Sequence, residues 1–496
     1  MKKTARRTTT AAAPPAPEPI LPPPAGAAGD GGFTGRYIVL LREDGADRAA
    51  ALLHDRTGLR VATTRAEGAV AAEAVDQGDA LVFSEIGAAV LTMDPDQLQS
   101  LQVLAADDLE TTPLVEAIEP ERYVFAIAEL ERQVAVQAPA RQPTGEPFTP
   151  ESDASRLADV LERAAPPEEA VTEPTEDAVA HYLRGYRDST NALVEHLLAR
   201  TAASQGAAAP VPALLTWNES ATTWGLQATR VVVSPRTGRG IRLAVLDTGF
   251  GPHPDFTGRT LRLASFVSGQ APADGHGHGT HCIGTACGPR TPRHAPRPRY
   301  GVAVESEIFA GKVLSNAGSG TDASILAGLN WAVANGCRVV SMSLGAAVAV
   351  GAPFSTVYEG VAQRALRRGT LIVAAAGNNR PNPVNHPANC PSIMAVAALD
   401  DQLRPATFSA RGVNPNGGAV DIAAPGVNVY SSWPLAPMYR RLNGTSMATP
   451  HVAGIAALLA QATGLAGAAL WRRLLLDARP LGFPRADVGA GLAQAR

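Results

Sequence analysis

The chain has 496 residues, more than one compact core usually holds, so two or three domains are expected. Hydrophobic residues make up 45% and charged residues 18%, which is ordinary for a folded globular protein. A net charge of -3 points to neither nucleic acid nor a membrane surface as partner, and no apolar run is long enough to span a bilayer.

Residues 1–34 are rich in Pro, Ala, Gly and Thr without hydrophobic periodicity and read as a disordered tail. Lys2, Lys3, Arg6 and Arg7 open it, but no apolar h-region follows. A cytoplasmic location is therefore expected, with secretion the alternative if the start codon is misassigned or export is non-classical. Cys282, Cys287, Cys337 and Cys390 are too few for a disulfide framework. A Cys337–Cys390 bridge is weighed, and small buried thiols are preferred.

Tyr37-Ile38-Val39-Leu40-Leu41 is an apolar run suited to a buried strand. A helix over 47–55, strand material at 59–64 and 79–93, and a strand over 115–125 follow. Asp94-Pro95 opens a second helix, with Leu98 and Leu101 on one face. The β-α-β-β-α-β order over 35–128 fits a small α+β, ferredoxin-like sandwich. Across 129–215, prolines interrupt regular structure, and the segment reads as a long linker carrying one helix, Asp188 to about Ser204. From residue 216 onward, strands at 241–246, 308–314, 338–344, 370–375 and 392–398 alternate with helices at 321–335, 357–368 and 446 to about 461. Apolar strands alternating with helices predict an α/β domain: a parallel sheet covered by helices on both faces.

Three stretches at element edges carry chemistry. Asp247 ends the first strand of the sheet, in Val245-Leu246-Asp247-Thr248-Gly249, where catalytic groups of open parallel sheets gather. Taken alone, it reads as a turn Asp before Gly. His278 lies in His276-Gly277-His278-Gly279-Thr280-His281, just before a helix. With Cys282, these histidines raise a zinc cluster, but the spacing fits no usual zinc pattern. Ser446, in Asn443-Gly444-Thr445-Ser446-Met447-Ala448-Thr449-Pro450-His451, sits where loop passes into helix, beside unpaired N–H groups that can hold a negative oxygen. The bland reading is an N-cap Ser. An α/β-hydrolase elbow is the rival enzyme reading. There the acid and His follow the Ser, whereas here His451 alone follows it, on the same helix.

The order Asp…His…Ser with these flanks resembles the subtilisin-like serine proteases (subtilases, peptidase family S8), over Trp217 to about Ala495. The resemblance implies a serine endopeptidase working through an acyl-enzyme, with Ser446 as nucleophile, His278 as general base and Asp247 as its orienting acid. It implies Asn378, in Ala374-Ala375-Ala376-Gly377-Asn378, as an oxyanion donor beside the Ser446 N–H. It also implies an extended peptide substrate lying between Gly318-Ser319-Gly320 and Ser343-Leu344-Gly345, with Ala375, Ala376 and Gly377 walling an apolar or unselective pocket. No cofactor is required for that chemistry. Structural calcium is frequent in the family, but no Asp-rich loop compels a site, so any metal stays unplaced. Residues 35–128 resemble the family's inhibitor-I9-like propeptide, implying an intramolecular inhibitor with Tyr123 to Ile127 nearest the cleft. A selective processing protease and a non-catalytic binding protein on the same fold are the competing readings.

Overall fold

Continuous apolar runs build the centre of the molecule. The computed structural model describes residues 32–43, 51, 53–54, 58–64, 79–93, 97, 115–127, 214–293, 298–434 and 436–495. The chain divides into two units, residues 1–137 with 216–496 and residues 138–215. The helix expected at Asp188 and the one opening at Asp94 lie outside the described residues, apart from Gln97, which is helical.

The front part contains β1 (Phe33–Leu41), β2 (Val61–Thr64), β3 (Ala80–Phe83), β4 (Ala88–Leu91) and β5 (Val115–Ala126). β1 starts two residues inside the stretch read from sequence as tail. The main part continues with β6 (Arg242–Asp247), β7 (Leu261–Ser265), α1 (His278–Cys287), β8 (Glu307–Lys312), β9 (Ser319–Thr321), α2 (Asp322–Ala334), β10 (Val339–Met342), β11 (Leu344–Gly345) and α3 (Thr356–Arg367). Then come β12 (Leu371–Ala375), β13 (Met394–Leu399), β14 (Ile422–Pro425), the hairpin of β15 (Val429–Ser432) and β16 (Tyr439–Leu442), α4 (Thr445–Thr463) and α5 (Gly467–Asp477).

The main sheet runs β14-β13-β12-β10-β6-β8-β7, with every pairing parallel. Successive side chains of a strand point to opposite faces, so a sheet covered on both sides needs apolar residues at every position. Ala244, Leu246, Val340, Met342, Ile372 and Ala374 enter one core with α2 and α3. Leu243, Val245, Val339, Leu371 and Val373 enter the other with α1, α4 and α5. Burying these side chains on both faces is the main favourable term, worth about 1.5–3 kcal/mol for each large one. Among the described residues no single helix is long and apolar enough to cross a membrane; α4 and α5 pass that test only jointly, across a bend of 107°.

The front strands form a second sheet, β5-β1-β4-β3-β2, which does not stop at its own domain. β5 continues it by pairing antiparallel with β9 and β11 of the main part. One face carries its own small core, Val39, Leu41, Leu53, Val82 and Leu91 among others. The other face, including Ile38, Leu40, Leu81 and Phe83, packs into the core of α2 and α3.

Polar contacts fix this docking. Glu121, fully buried, accepts from Arg36 (2.6 and 2.9 Å), from Thr34 Oγ1 (2.5 Å) and from the Ala323 N–H in the first turn of α2 (2.9 Å). Glu119 accepts from the Thr356 and Val357 N–H groups opening α3, at 2.6 and 3.2 Å. Both carboxylates therefore meet the positive, unpaired amide ends of helices. From the other side the buried Arg364 of α3 donates to the carbonyls of Gly87 (2.7 Å), Ile86 (3.1 Å) and Leu41 (2.5 Å) and to Glu116 (3.1 Å). A Cβ at Gly87 would overlap that guanidinium.

Candidate active site

β6 ends on Asp247 in the middle of the sheet, between β10 and β8. Its Oδ1 accepts from the Thr248 N–H (2.8 Å) and from His278 Nδ1 (2.8 Å). A carboxylate can only accept, so Nδ1 carries a proton, and in the neutral ring Nε2 presents its lone pair. Nε2 is buried and makes no hydrogen bond among the described residues. Burial works against charge on this ring, but Asp247 and, after it, Cys282 together outweigh burial and hold the imidazole well above its ordinary range.

His278 opens α1, and Asp274 fixes that helix end. Its Oδ1 accepts from Thr248 Oγ1 (2.9 Å), the His276 N–H (3.0 Å) and the Gly277 N–H (2.7 Å). Its Oδ2 accepts from the N–H and hydroxyl of Thr280, at 2.9 and 2.6 Å. Buried Lys312 donates to the Thr248 carbonyl (2.7 Å) and to Asn316 (2.8 Å). Burial brings its ammonium down to about 8, against the pull of Asp274 and Asp247. Neither Asp274 nor Lys312 was singled out from sequence; an Asp in a Gly-rich stretch looks like turn chemistry, and a Lys at a strand end looks solvated.

Ser446 is the second residue of α4, so its N–H lies in the first turn, without a partner inside the helix. Its hydroxyl donates to the Ser343 carbonyl at 3.3 Å, and Ser343 Oγ donates to the Ser446 carbonyl at 2.9 Å. Cys282 Sγ touches both sides of the site, 3.9 Å from His278 Nδ1 and 3.6 Å from the Ser446 carbonyl. The structure thus gathers Asp247, His278 and Ser446 around one sulfur, with the hydroxyl turned to Ser343 and not bonded to the imidazole. Asn378 Oδ1 accepts from the N–H and Oγ1 of Thr445, each at 2.9 Å. This turns its NH2 the other way, toward Gly444, where a Cβ would lie 3.1 Å from Nδ2. Gly444 has φ +149°, a backbone open in practice to glycine alone.

The remaining histidines and thiols have other surroundings. His281 Nε2 lies 3.1 and 3.2 Å from the carbonyls of Val429 and Arg440, and burial takes its ring down to about 3. His451 bonds the Met447 carbonyl one turn back (2.8 Å), and burial takes it to about 4. All four cysteines are free and buried, so Cys337 and Cys390 form no bridge. The histidine run does not come together as a zinc cluster. Among the described residues the metal-capable group is Asp247, His278 and Cys282, whose thiol and imidazole do not make the oxygen cage calcium takes. Buried Asp255 is no better suited, since its oxygens are held by Tyr300 (2.6 Å), Tyr439 (2.9 Å) and the Arg293 N–H (2.7 Å).

The cleft beside this site is filled by the chain itself. Tyr123, Val124 and Phe125 pair with Thr321, Gly320 and Ser319, while Phe125 and Ala126 pair with Gly345 and Leu344. The Ala126 N–H donates to the Gly318 carbonyl (2.8 Å) and the Ile127 N–H to the Ser343 carbonyl (3.5 Å). The Ile127 side chain borders Gly345, where a Cβ would lie 3.2 Å from Cδ1 and 3.4 Å from Asn385 Cβ. Asn385, fully buried, backs this pocket. Its N–H donates to the Ala376 carbonyl (2.8 Å) and its amide presses against Gly377. Sequence reasoning left Asn385 unassigned, because the Pro-rich stretch around it gives no periodic signal.

Fold and site together define an α/β protein with a carboxylate–imidazole pair and a helix-borne serine at the carboxyl ends of parallel strands. The profile described as the subtilase family matches residues 238–491. The chain is 43% identical over 242 residues to M-protease of Shouchella clausii (strain KSM-K16), covering 48% of this chain and 59% of that protein. It is equally identical over 242 residues to Subtilisin Savinase of Lederbergia lenta, covering 84% of it. The solved structure of sphericase is 31% identical with a TM-score of 0.49, covering 57% of this chain and all of that one. The chain belongs to the subtilase family.

Proposed function

We propose that the protein is a serine endopeptidase held in check by its own front domain. The observation that carries this reading is the peptide segment leading through β5 to Ile127, whose N–H shares an acceptor with the Ser446 hydroxyl beside a buried acid–imidazole pair. For attack, the Ser446 hydroxyl leaves Ser343 and turns to His278 Nε2. Ser446 Oγ bonds to the scissile carbonyl carbon as its proton passes to Nε2, and Asp247 stabilises the imidazolium. The Asn378 NH2 and the Ser446 N–H donate to the oxygen as it gains charge. The C–N bond then breaks, His278 returns the proton to the leaving amine, and water repeats the sequence on the acyl-enzyme.

With Asn385 at its back and Ala375, Ala376 and Gly377 beside it, the pocket suits a medium-sized apolar side chain such as that of Ile127. Ser446→Ala should lower casein hydrolysis by about six orders of magnitude, the size of loss found in subtilisin, and abolish fluorophosphonate labelling. Full activity in that variant would remove the protease reading. Wild-type protein that neither labels nor cleaves, once freed of the front domain, would leave a binding protein on this fold. Cleavage of a single cellular protein but not casein would make it a selective processing enzyme.

A further inference from the structure

We infer that Asp322 reads the sixth residue of a bound peptide, counting back from the position of Ile127, and selects a cationic, non-proline residue there; this rests on the protease reading above. Asp322 opens α2 directly after β9 and is fully buried. One oxygen is held within the main part, His386 Nε2 lying 3.2 Å from Oδ1. The His386 ring packs edge-on against Tyr358 at 4.6 Å, and the Tyr358 hydroxyl contacts the Asp322 carbonyl at 3.4 Å. The other oxygen faces the peptide strand. Oδ2 accepts the Arg122 N–H at 2.8 Å and lies 3.9 Å from Arg122 Nη1.

An acid in the first turn of a helix commonly serves that helix's own amides. Here those places are taken. Thr321 and Ser324 bond each other's N–H groups (3.4 and 3.1 Å), and Glu121 accepts from Ala323. Asp322 makes no such bond among the described residues, and its Oδ2 is directed at the strand in the cleft. Once the front strand leaves, Oδ2 loses its partners among the described residues. An entering peptide restores them with the N–H of its sixth residue, which proline lacks. A lysine or arginine side chain at that position adds attraction, and a carboxylate adds repulsion. In the front domain Arg122 is shared with Glu119 of its own strand, 3.4 Å away. A substrate without such an acid leaves the cation wholly to Asp322.

The test uses processed enzyme and quenched peptides ending in Tyr-Val-Phe-Ala-Ile before the scissile bond, preceded by Arg, Ala, Glu or Pro, or by nothing. With a partly exposed ion pair worth about 1 kcal/mol, kcat/KM should be about fivefold higher for Arg than for Ala, with Glu lower still. The Pro peptide and the shortened one should fall at least about tenfold below Ala, the loss of a charge-assisted hydrogen bond. In Asp322→Asn the Arg-to-Glu ratio, which does not depend on how much enzyme is folded, should fall to near one. Asp322→Lys should invert it. Equal cleavage of the Arg, Ala and Glu peptides by wild type, or an unchanged ratio in both variants, overturns the assignment. Failure to cut any peptide, the shortened one included, overturns the protease reading and this one with it.

Discussion

The Ser446 hydroxyl and the Ile127 amide converge on one oxygen, the carbonyl of Ser343, at 3.3 and 3.5 Å. This shared carbonyl brings the Ile127 amide beside the nucleophile, so the bond that follows Ile127 is the one expected to be attacked. Wild-type protein should therefore be cut between Ile127 and Ala128, which N-terminal sequencing of the mature fragment reads directly. Ser446→Ala should stay in one piece over the same time.

Arg364 sets a demand that no other cation meets as well. Its planar fork donates to Gly87, Ile86 and Leu41 carbonyls and to Glu116 at once, which the single ammonium of lysine cannot reproduce. Arg364→Ala takes this donor from the buried Ile86 and Leu41 carbonyls, at about 1–3 kcal/mol for each one left unsatisfied, while the Gly87 carbonyl keeps the Leu41 N–H at 2.9 Å. In the uncut Ser446→Ala background, Arg364→Ala and Arg364→Lys should both lower the melting temperature, alanine more. Gly87→Ala should do the same by steric overlap. Unchanged melting in all three would show that this contact contributes nothing to docking.

The imidazole held high by Asp247 fixes the acid side of the rate profile. Only the neutral ring accepts the serine proton, so kcat/KM should fall as pH drops through the His278 pKa, above the ordinary histidine value of about 6.5. In Asp247→Asn the larger raising charge is gone. The residual rate, lower by about four orders as when a triad aspartate is made neutral, should have its acid limb at lower pH. Hydrolysis of a neutral peptide from roughly pH 5 through 8, the range in which an ordinary histidine changes charge, and on into more alkaline buffer measures both.

Asp421 should act on stability in the opposite sense to an ion-paired acid. Burial pushes its carboxyl up to about 7, against the single hydrogen bond it accepts from the Ala395 N–H. Unfolded, it would titrate near 4. Between those values the folded state holds the proton and the unfolded state does not, so stability is full below about pH 4 and is lost as pH rises through about 7. Asp421→Asn keeps the acceptor without the charge and should raise the melting temperature at pH 8 while changing little at pH 4. Equal effects at both values would show that the carboxyl is not titrating in this window.

Much of the main sheet could be read in the sequence because strands buried on both faces spell unbroken apolar runs, as in Leu371–Ala375 and Met394–Leu399. Elements without that signature escaped. Leu261–Ser265 is an edge strand with exposed Arg262 and Leu263, and among the described residues Val429–Ser432 pairs only with its hairpin partner. Asp247, His278, Asn378 and Ser446 stood out through short motifs that carry their own neighbours with them. Asp274, Asn385, Asp322 and Glu121 have no such context. Glu121 meets Ala323 across 202 positions, and no local pattern announces a contact of that range.

The shared ladder of β5 with β9 and β11 separates two events that a single cut would seem to join. Hydrolysis after Ile127 would remove one covalent link and leave every rung of that ladder, and both carboxylate-to-helix contacts, in place. The freshly cut protein would thus be a complex with its own product. Its rate of switching on would be set by how fast a docked domain departs, and any agent that unfolds or digests residues 33–127 would act as its activator.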